Sequence, residues 1–213
     1  LQRLIPPVPG FLETLRAKTE ERGIVLIFDE VVTGFRLAWG GAQERYGVTP
    51  DLCTLGKIIG GGLPLAAIAG RETIMRHFDK SAVGDAGFTF QIGTLSGNPL
   101  AAVAGLATLD VLDRPDSYER LTEFGTRLMT AAHDALDAVG IPHQIVGDPT
   151  LFDVIFTAKP VLNYRDIMAA DSQRAAVFNA AMRSQGILKP GAKTYPHLAL
   201  DEADIVQTID AYR

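Results

Sequence analysis

The sequence has little cysteine and no long hydrophobic run. Its one cysteine, Cys53, cannot form an intrachain disulfide, which is typical of a protein in a reducing compartment. The longest nearly apolar stretch, residues 99–109, is too short to cross a bilayer and suits a buried helix. We therefore expect a cytoplasmic protein that makes no membrane contact.

The sequence also lacks an excess of positive charge. Its 20 lysines and arginines are scattered among 25 acidic residues, for a net charge of −5, so we expect no nucleic-acid partner and no polybasic membrane patch. The four histidines have no ligand-like spacing, so we predict no metal site. The chain begins "LQRLIPPVPGF", with neither methionine nor a signal-peptide pattern, and we expect it to be a piece of a longer protein.

Helical and apolar β-rich segments alternate in the first half. Residues 10–23 predict a helix, and residues 24–28 ("IVLIF") predict a strand buried on both faces of a parallel sheet. A helix over 40–46 and strands over 51–57 and 65–70 follow. This alternation predicts an α/β fold with an open sheet.

The second half predicts a smaller α+β unit. A loop from 93 enters a helix that Ser96 or Asn98 caps, with Pro99 in its first turn. After the polar segment 113–118, a long amphipathic helix ends at Gly140. A strand over 151–157, a helix over 172–185 and a last helix starting near Asp201 complete the prediction. We therefore divide the chain into residues 1–115 and 116–213.

Lys57 stands alone among apolar residues and glycines in "LGKIIGGGLP". An amine is a nucleophile only when unprotonated, and burial among apolar groups favours that form, as Schiff-base lysines require. Three glycines after Lys57 would let the backbone approach a flat cofactor closely. The alternative is an ordinary lysine at a turn, with its stem on apolar surface and its amine in water.

Asp29 follows the apolar run 24–28, and ligands of open α/β sheets bind at the carboxyl ends of strands. A carboxylate there needs a partner: a protonated ring nitrogen, a metal or an arginine such as Arg36. A structural ion pair is an equal alternative.

The segment "IVLIFDE", residues 24–30, also resembles the Walker B strand of an ATPase. That reading needs a phosphate loop G-x-x-x-x-G-K-[ST], but Ile58 follows Gly56-Lys57 and Asp51 stands where the first glycine belongs. A P-loop ATPase is therefore a weaker alternative.

A third candidate site is "GTLSGNP", residues 93–99. Glycines and hydroxyls before a helix N-terminus form an anion pocket, with Thr94 and Ser96 as its side chains. An ordinary capped loop explains the segment equally well.

Taken together, "LIFDEVVTGFRLAWGGAQERYGVTPDLCTLGKIIGGGLPLAAIAGR" and "GTLSGNPLAAVAG" resemble the class III aminotransferases, and most of all their glutamate-1-semialdehyde 2,1-aminomutase-like branch. The resemblance covers nearly the whole chain and is strongest over 24–105. It implies pyridoxal phosphate (PLP) as cofactor and fold type I. Residues 1–115 would be the later part of a large domain with a mostly parallel sheet, and 116–213 a C-terminal α+β small domain.

The resemblance also implies roles by position. Asp29 would pair with the pyridine nitrogen, and Val31 would pack on the ring. Lys57 would carry the cofactor as a Schiff base and then move the substrate proton. Gly93 and Thr94 would bind the phosphate of a cofactor held mainly by the neighbouring subunit of a homodimer. The substrate would be a small amine or amino acid.

The sequence departs from this branch at several points. The family's upstream phosphate loop and stacking aromatic precede the matching region. Phe90 stands where the branch has a tyrosine. No arginine lies between Arg183 and Arg213 to grip a carboxylate, which leaves Lys189 or Lys193 as weak substitutes. A β- or ω-amino acid aminotransferase is therefore an alternative, and so is a fragment that dimerises without catalysis.

Overall fold

The structure is a computed structural model that describes residues 4–213. Its helices are α1 Phe11–Glu21, α2 Gly41–Tyr46, α3 Glu72–Met75, α4 Lys80–Gly87, α5 Pro99–Leu112, α6 Ser117–Ala138, α7 Tyr164–Met168, α8 Ser172–Ser184 and α9 Glu202–Tyr212. Its strands are β1 Ile27–Asp29, β2 Leu52–Leu55, β3 Ala67–Gly70, β4 Gln144–Asp148 and β5 Leu151–Ile155. Short 3₁₀ turns lie at Lys57–Gly60 and Arg76–Phe78. Of the described helices, none combines the length and the hydropathy that crossing a bilayer requires.

The described residues form two compact units, Pro9–Pro115 and residues 4–8 with Asp116–Arg213. The sequence-based division placed the first eight residues with the first unit, and the structure differs for residues 4–8. Ile5 packs against buried side chains of the second unit, which explains the difference; they are Ile155, Val161 and Ile167. Residues 1–3 lie outside the described part of the chain.

The first unit contains a three-stranded sheet in the order β1-β2-β3. β1 and β2 are parallel, with Asp29 opposite Thr54, and β3 is antiparallel to β2. The parallel pair brings the carboxyl ends of β1 and β2 to the same edge of the sheet. The unit is therefore α/β as predicted, and this part of its sheet is mixed.

The predicted burial of the 24–28 run is wrong. The strand covers only Ile27–Asp29, and Ile27 is 55% exposed. The reason is its position, because within the described residues β1 is an edge strand that pairs with β2 alone. Only Leu26 of the apolar run is buried.

Asp51, at the start of β2, ties this unit together. Its buried carboxylate accepts hydrogen bonds from Leu26 N and from Arg16 of α1, and it pairs with Arg71 after β3. The Leu26 N–H, opposed by desolvation and assisted by the two guanidinium groups, holds the pKa of Asp51 below its ordinary value. One carboxylate thus fixes α1, β1, β2 and the end of β3.

The second unit packs α6 against the antiparallel pair β4–β5. Buried residues at helical spacing form the inner face of α6: Leu121, Phe124, Leu128, Ala132 and Leu136. The sequence predicted Val139 on this face, but the helix ends at Ala138 and Val139 is exposed. The predicted strand 151–157 is β5, and its partner β4 was missed.

The last helix closes the second core. Asp201 and Asp204 form a capping box at the start of α9, as the predicted start near Asp201 requires. Tyr212, near the end of α9, stacks on Phe178 with ring centroids 6.0 Å apart. Burial raises the pKa of Tyr212 to about 12.

Candidate functional site

Asp29 ends β1 at the sheet edge predicted for a ligand. Its Oδ1 accepts hydrogen bonds from Val31 N (3.1 Å) and from Thr54 Oγ1 (3.4 Å) across the β1–β2 pair. The side chain is exposed, and no described residue donates to Oδ2. These hydrogen bonds orient the carboxylate through Oδ1 and leave Oδ2 without a donor among the described residues.

Glu30, the next residue, was missed by the sequence analysis. It is only 1% exposed, and its carboxylate accepts hydrogen bonds from Thr33 Oγ1 (2.8 Å), Ala42 N (2.7 Å) and Gln43 N (3.1 Å). Ala42 and Gln43 lie in the first turn of α2, whose N-cap residue, Gly40, has no side chain to accept their hydrogen bonds. Glu30 therefore caps α2 from outside the helix.

Two glycines make room for Glu30. Their positions are the feature of the sequence from which the burial of Glu30 could have been predicted. A Cβ on Gly41 would lie 2.4 Å from Glu30 Oε2, and a Cβ on Gly34 would lie 2.8 Å from Glu30 O. Gly41 also has a positive φ of 70°. The pattern E-x₃-G-x₆-G thus accompanies a buried carboxylate rather than a solvated one.

The structure corrects the prediction that apolar neighbours bury Lys57. The side chain is exposed, because Lys57 begins a 3₁₀ turn directly after β2. Its φ is +50°, in the left-handed region that a lysine rarely adopts. Lys57 therefore has an unusual backbone conformation at the carboxyl end of β2.

Two glycines allow the turn that begins at Lys57 to lie close to α5. A Cβ on Gly61 would lie 2.5 Å from Ala104 O, and a Cβ on Gly105 would lie 2.4 Å from Ile59 O. Gly61 and Gly105 therefore let α5 pack backbone to backbone against the lysine turn. Only Gly62 borders open space.

Val31 links the two strand ends. Its N–H donates to Asp29, and its Cγ1 would lie 3.3 Å from a Cβ on Gly56, the residue before Lys57. Asp29, Val31 and the lysine turn thus form one continuous set of neighbours.

A cleft of about 1100 Å³ lies beside these residues in the first unit. Val31, Gly93 and Thr94 line it, whereas Asp29 and Lys57 do not. Its apolar wall comes from Met75, Phe78, Phe88 and Phe90, with Phe88 and Phe90 in an edge-to-face contact. No charged side chain is among the described residues that line it.

Within the loop predicted as an anion pocket, Asn98 caps the start of α5. Asn98 Oδ1 accepts hydrogen bonds from Leu100 N and Ala101 N, and Asn98 O accepts one from Ala102 N. The cap therefore occupies the N–H groups of Leu100, Ala101 and Ala102. The exposed hydroxyl of Thr94 remains as a candidate ligand for one.

In the second unit, the two lysines suggested as carboxylate ligands have structural roles. Lys189 donates to Asn179 Oδ1 (2.6 Å) and to Pro190 O (2.9 Å). Lys193 is 7% exposed and has a positive φ of 63°. Neither lysine presents an open cation to solvent.

Known proteins share the sequence and the fold of this chain. The family profile "Aminotransferase class-III" matches residues 4–211. Glutamate-1-semialdehyde 2,1-aminomutase 2 of Brevibacillus brevis is 45% identical over 211 residues, which cover 98% of this chain and 48% of that protein.

Two solved structures share the fold at more distant identity. An omega-transaminase from Sphaerobacter thermophilus matches with a TM-score of 0.88 at 34% identity. A beta-phenylalanine aminotransferase from Variovorax paradoxus matches with a TM-score of 0.89 at 31% identity. Each match covers 99% of this chain and 48% of the other. The chain thus spans about half the length of the relatives that it matches.

Proposed function

We propose, since this chain belongs to the class III aminotransferases, that its protein is a PLP-dependent enzyme that moves an amino group. The fold is part of fold type I. The observation that carries the proposal is the parallel pairing of β1 with β2, which puts Asp29 and the Lys57 turn at one edge of the sheet. The family match excludes the P-loop ATPase alternative.

The predicted site residues have the chemistry that the cofactor needs. A protonated ring nitrogen needs a carboxylate oxygen, and Asp29 Oδ2 receives no hydrogen bond from the described residues. A flat ring needs an apolar surface, which Val31 offers beside Gly56. An aldehyde needs an accessible amine, and Lys57 is exposed. A phosphate accepts hydrogen bonds from a hydroxyl such as that of Thr94 and from the N–H of Gly93.

PLP, when bound, supplies an electron sink that stabilises negative charge on the substrate carbon. In this proposal, Lys57 Nζ would hold the cofactor. When freed from it, the same amine would take the proton from the substrate α-carbon and deliver it to the cofactor carbon that had been joined to Lys57, which is the proton transfer that moving an amino group requires. Asp29 holds the ring nitrogen in its charged form. Val31 fixes the plane of the ring.

The first candidate reaction is that of glutamate-1-semialdehyde 2,1-aminomutase, supported by the relative at 45% identity. A β- or ω-amino acid aminotransferase is the second. Among the substrates of such an enzyme, the cleft favours one with an apolar side group, such as β-phenylalanine, because no described lining residue is charged.

Substrate profiling of the protein expressed from its complete gene, loaded with PLP, decides between the two. The aminomutase reaction predicts conversion of glutamate-1-semialdehyde without an external acceptor. The alternative predicts transfer from β-phenylalanine or an arylalkylamine to a keto acid. In either case Lys57→Ala must abolish turnover. Activity that survives in this variant would rule out the proposed role of Lys57.

We propose further that the protein is a cytoplasmic homodimer with a shared active site. One feature supports each part of this proposal. For the location, the single cysteine is free and buried, as is typical of a reducing compartment. For the dimer, the support comes from exposed apolar residues. Apolar side chains near Thr94 are exposed in the described chain, namely Phe90, Ile92, Leu95, Leu100, Val103 and Leu106. A second copy would bury them and bring Thr94 to the neighbouring cofactor. Analytical ultracentrifugation of the complete gene product tests the assembly, and a monomer would contradict it.

A further inference from the structure

We infer that Glu30 is a positioning residue that holds Asp29 in place for the cofactor; the inference rests on the proposed function of Asp29. The two residues are consecutive at the end of β1. Successive side chains of an extended segment point to opposite sides, so one of them can anchor the other. The structure has this arrangement, with Asp29 exposed and Glu30 only 1% exposed.

The backbone of Glu30 is fixed in two directions. Its N–H donates to Thr54 O at 3.0 Å, which extends the β1–β2 pairing by one residue. Its C=O accepts a hydrogen bond from Gly34 N at 2.9 Å, which turns the following chain back on itself. Since Asp29 shares a peptide bond with Glu30, these contacts also fix the backbone from which the Asp29 side chain extends.

The side chain of Glu30 supplies a third, buried attachment. Its three hydrogen bonds come from Thr33 Oγ1, Ala42 N and Gln43 N, so the carboxylate bridges the loop and α2. An ionised carboxylate is costly to bury unless donors satisfy it, and here each oxygen has at least one. All three donors are hydroxyl or N–H groups. In a Glu30→Gln variant, the side-chain NH₂ group is itself a donor, and it would face one of them without forming a hydrogen bond.

Loss of these bonds would release the segment between β1 and α2. Val31, which contacts both Asp29 and the Gly56 position, lies in the same segment. The predicted effect is therefore weaker cofactor binding through a misplaced Asp29, beyond any general loss of stability.

The test is a double-mutant cycle on the complete gene product, with the dissociation constant of PLP as the readout. Glu30→Gln alone and Asp29→Asn alone should each weaken PLP binding by about tenfold or more, as expected for charged hydrogen bonds. If Glu30 acts through Asp29, Glu30→Gln should add less than about threefold in the Asp29→Asn background. Equal effects in the two backgrounds would overturn the inference.

Two further variants make the result decisive. Glu44→Gln is the matched control, because Glu44 is an exposed carboxylate of the same helix that accepts from Gly40 N at 2.6 Å; its PLP affinity should be unchanged. If Glu30→Gln does not fold, Thr33→Val removes one hydrogen bond to Glu30 and leaves the carboxylate in place. The inference then predicts a severalfold loss of PLP affinity that vanishes in the Asp29→Asn background.

The outcomes separate this inference from the function that it rests on. Unchanged PLP affinity in Asp29→Asn would refute the assigned role of Asp29, and with it the inference. A loss in Asp29→Asn with no loss in the Glu30→Gln or Thr33→Val variants would refute the inference alone.

Discussion

The backbone N–H of Leu26 donates a 2.7 Å hydrogen bond to Oδ2 of Asp51, which joins the chain entering β1 to the start of β2. Arg16 and Arg71 approach the same carboxylate at 3.0 and 2.9 Å. The edge that carries Asp29 and Lys57 therefore depends on a buried carboxylate at the opposite ends of the same strands.

We expect Asp51→Asn to lower the free energy of unfolding by about 1.5–3 kcal/mol at pH 7, because charged hydrogen bonds are lost. The pKa of Asp51 is lowered in the folded state, so its contribution is present above the unfolded value of about 4 and is lost as the pH falls through the folded value. Urea unfolding at several pH values should show the difference shrinking below about pH 4. Asp85→Asn, at an exposed ion pair, is the control. A difference that does not depend on pH would contradict the account.

Gly105→Ala should destabilise the protein although alanine is the better helix former. The new Cβ would lie 2.4 Å from Ile59 O, and overpacking of this kind costs about 1–3 kcal/mol. Thermal unfolding measures the loss. Gly191→Ala, where no atom lies within 4 Å of the added Cβ, should change stability by less than about 0.5 kcal/mol. A stabilised Gly105→Ala variant would show that α5 does not pack tightly against the lysine turn.

How far the sequence predicts this fold depends on the range of the interactions. The cap at Asn98 and the start of α9 at Asp201 depend on local interactions, and the sequence predicted both: Asn98 as one of two candidate caps, and a helix starting near Asp201. β4 was missed because a short strand is specified by its partner β5 rather than by its own residues. The burial of 24–28 was wrong because periodicity cannot tell how many neighbours a strand has.

The candidate site shows the same limit. Asp29, Val31, Lys57, Gly93 and Thr94 were predicted from residue type and from resemblance, and their roles remain predictions. Glu30 was missed because its partners Ala42 and Gln43 are backbone donors 12 and 13 residues away. Backbone donors leave no side-chain signal in a sequence.

Complementation between subunits tests the shared site. Thr94→Val and Lys57→Ala variants should each be inactive or weak when limiting PLP is supplied. Mixed dimers would combine an intact Lys57 from one subunit with an intact Thr94 from the other, so random mixing should restore about a quarter of the wild-type sites. Mixed dimers that form without any gain of activity would mean that Thr94 does not act across the interface.

Alkaline titration tests the packing of the second unit. Burial raises the pKa of Tyr212 to about 12, so its contribution to stability is present below about pH 10 and is lost between about pH 10 and 12. The ultraviolet titration of the wild type minus that of Tyr212→Phe should have a midpoint near 12. A midpoint near 10 would show that Tyr212 is not buried against Phe178.

The most direct test of the central claim is to trap the cofactor on Lys57. The complete gene product is incubated with PLP, reduced with borohydride and digested, and the modified peptide is identified by mass spectrometry. The account predicts a phosphopyridoxyl group on Lys57, and a Lys57→Ala protein that is not labelled at any single site. Labelling of other lysines with Lys57 unmodified would contradict it, because the exposed amine at the end of β2 would then not be the one that binds the cofactor.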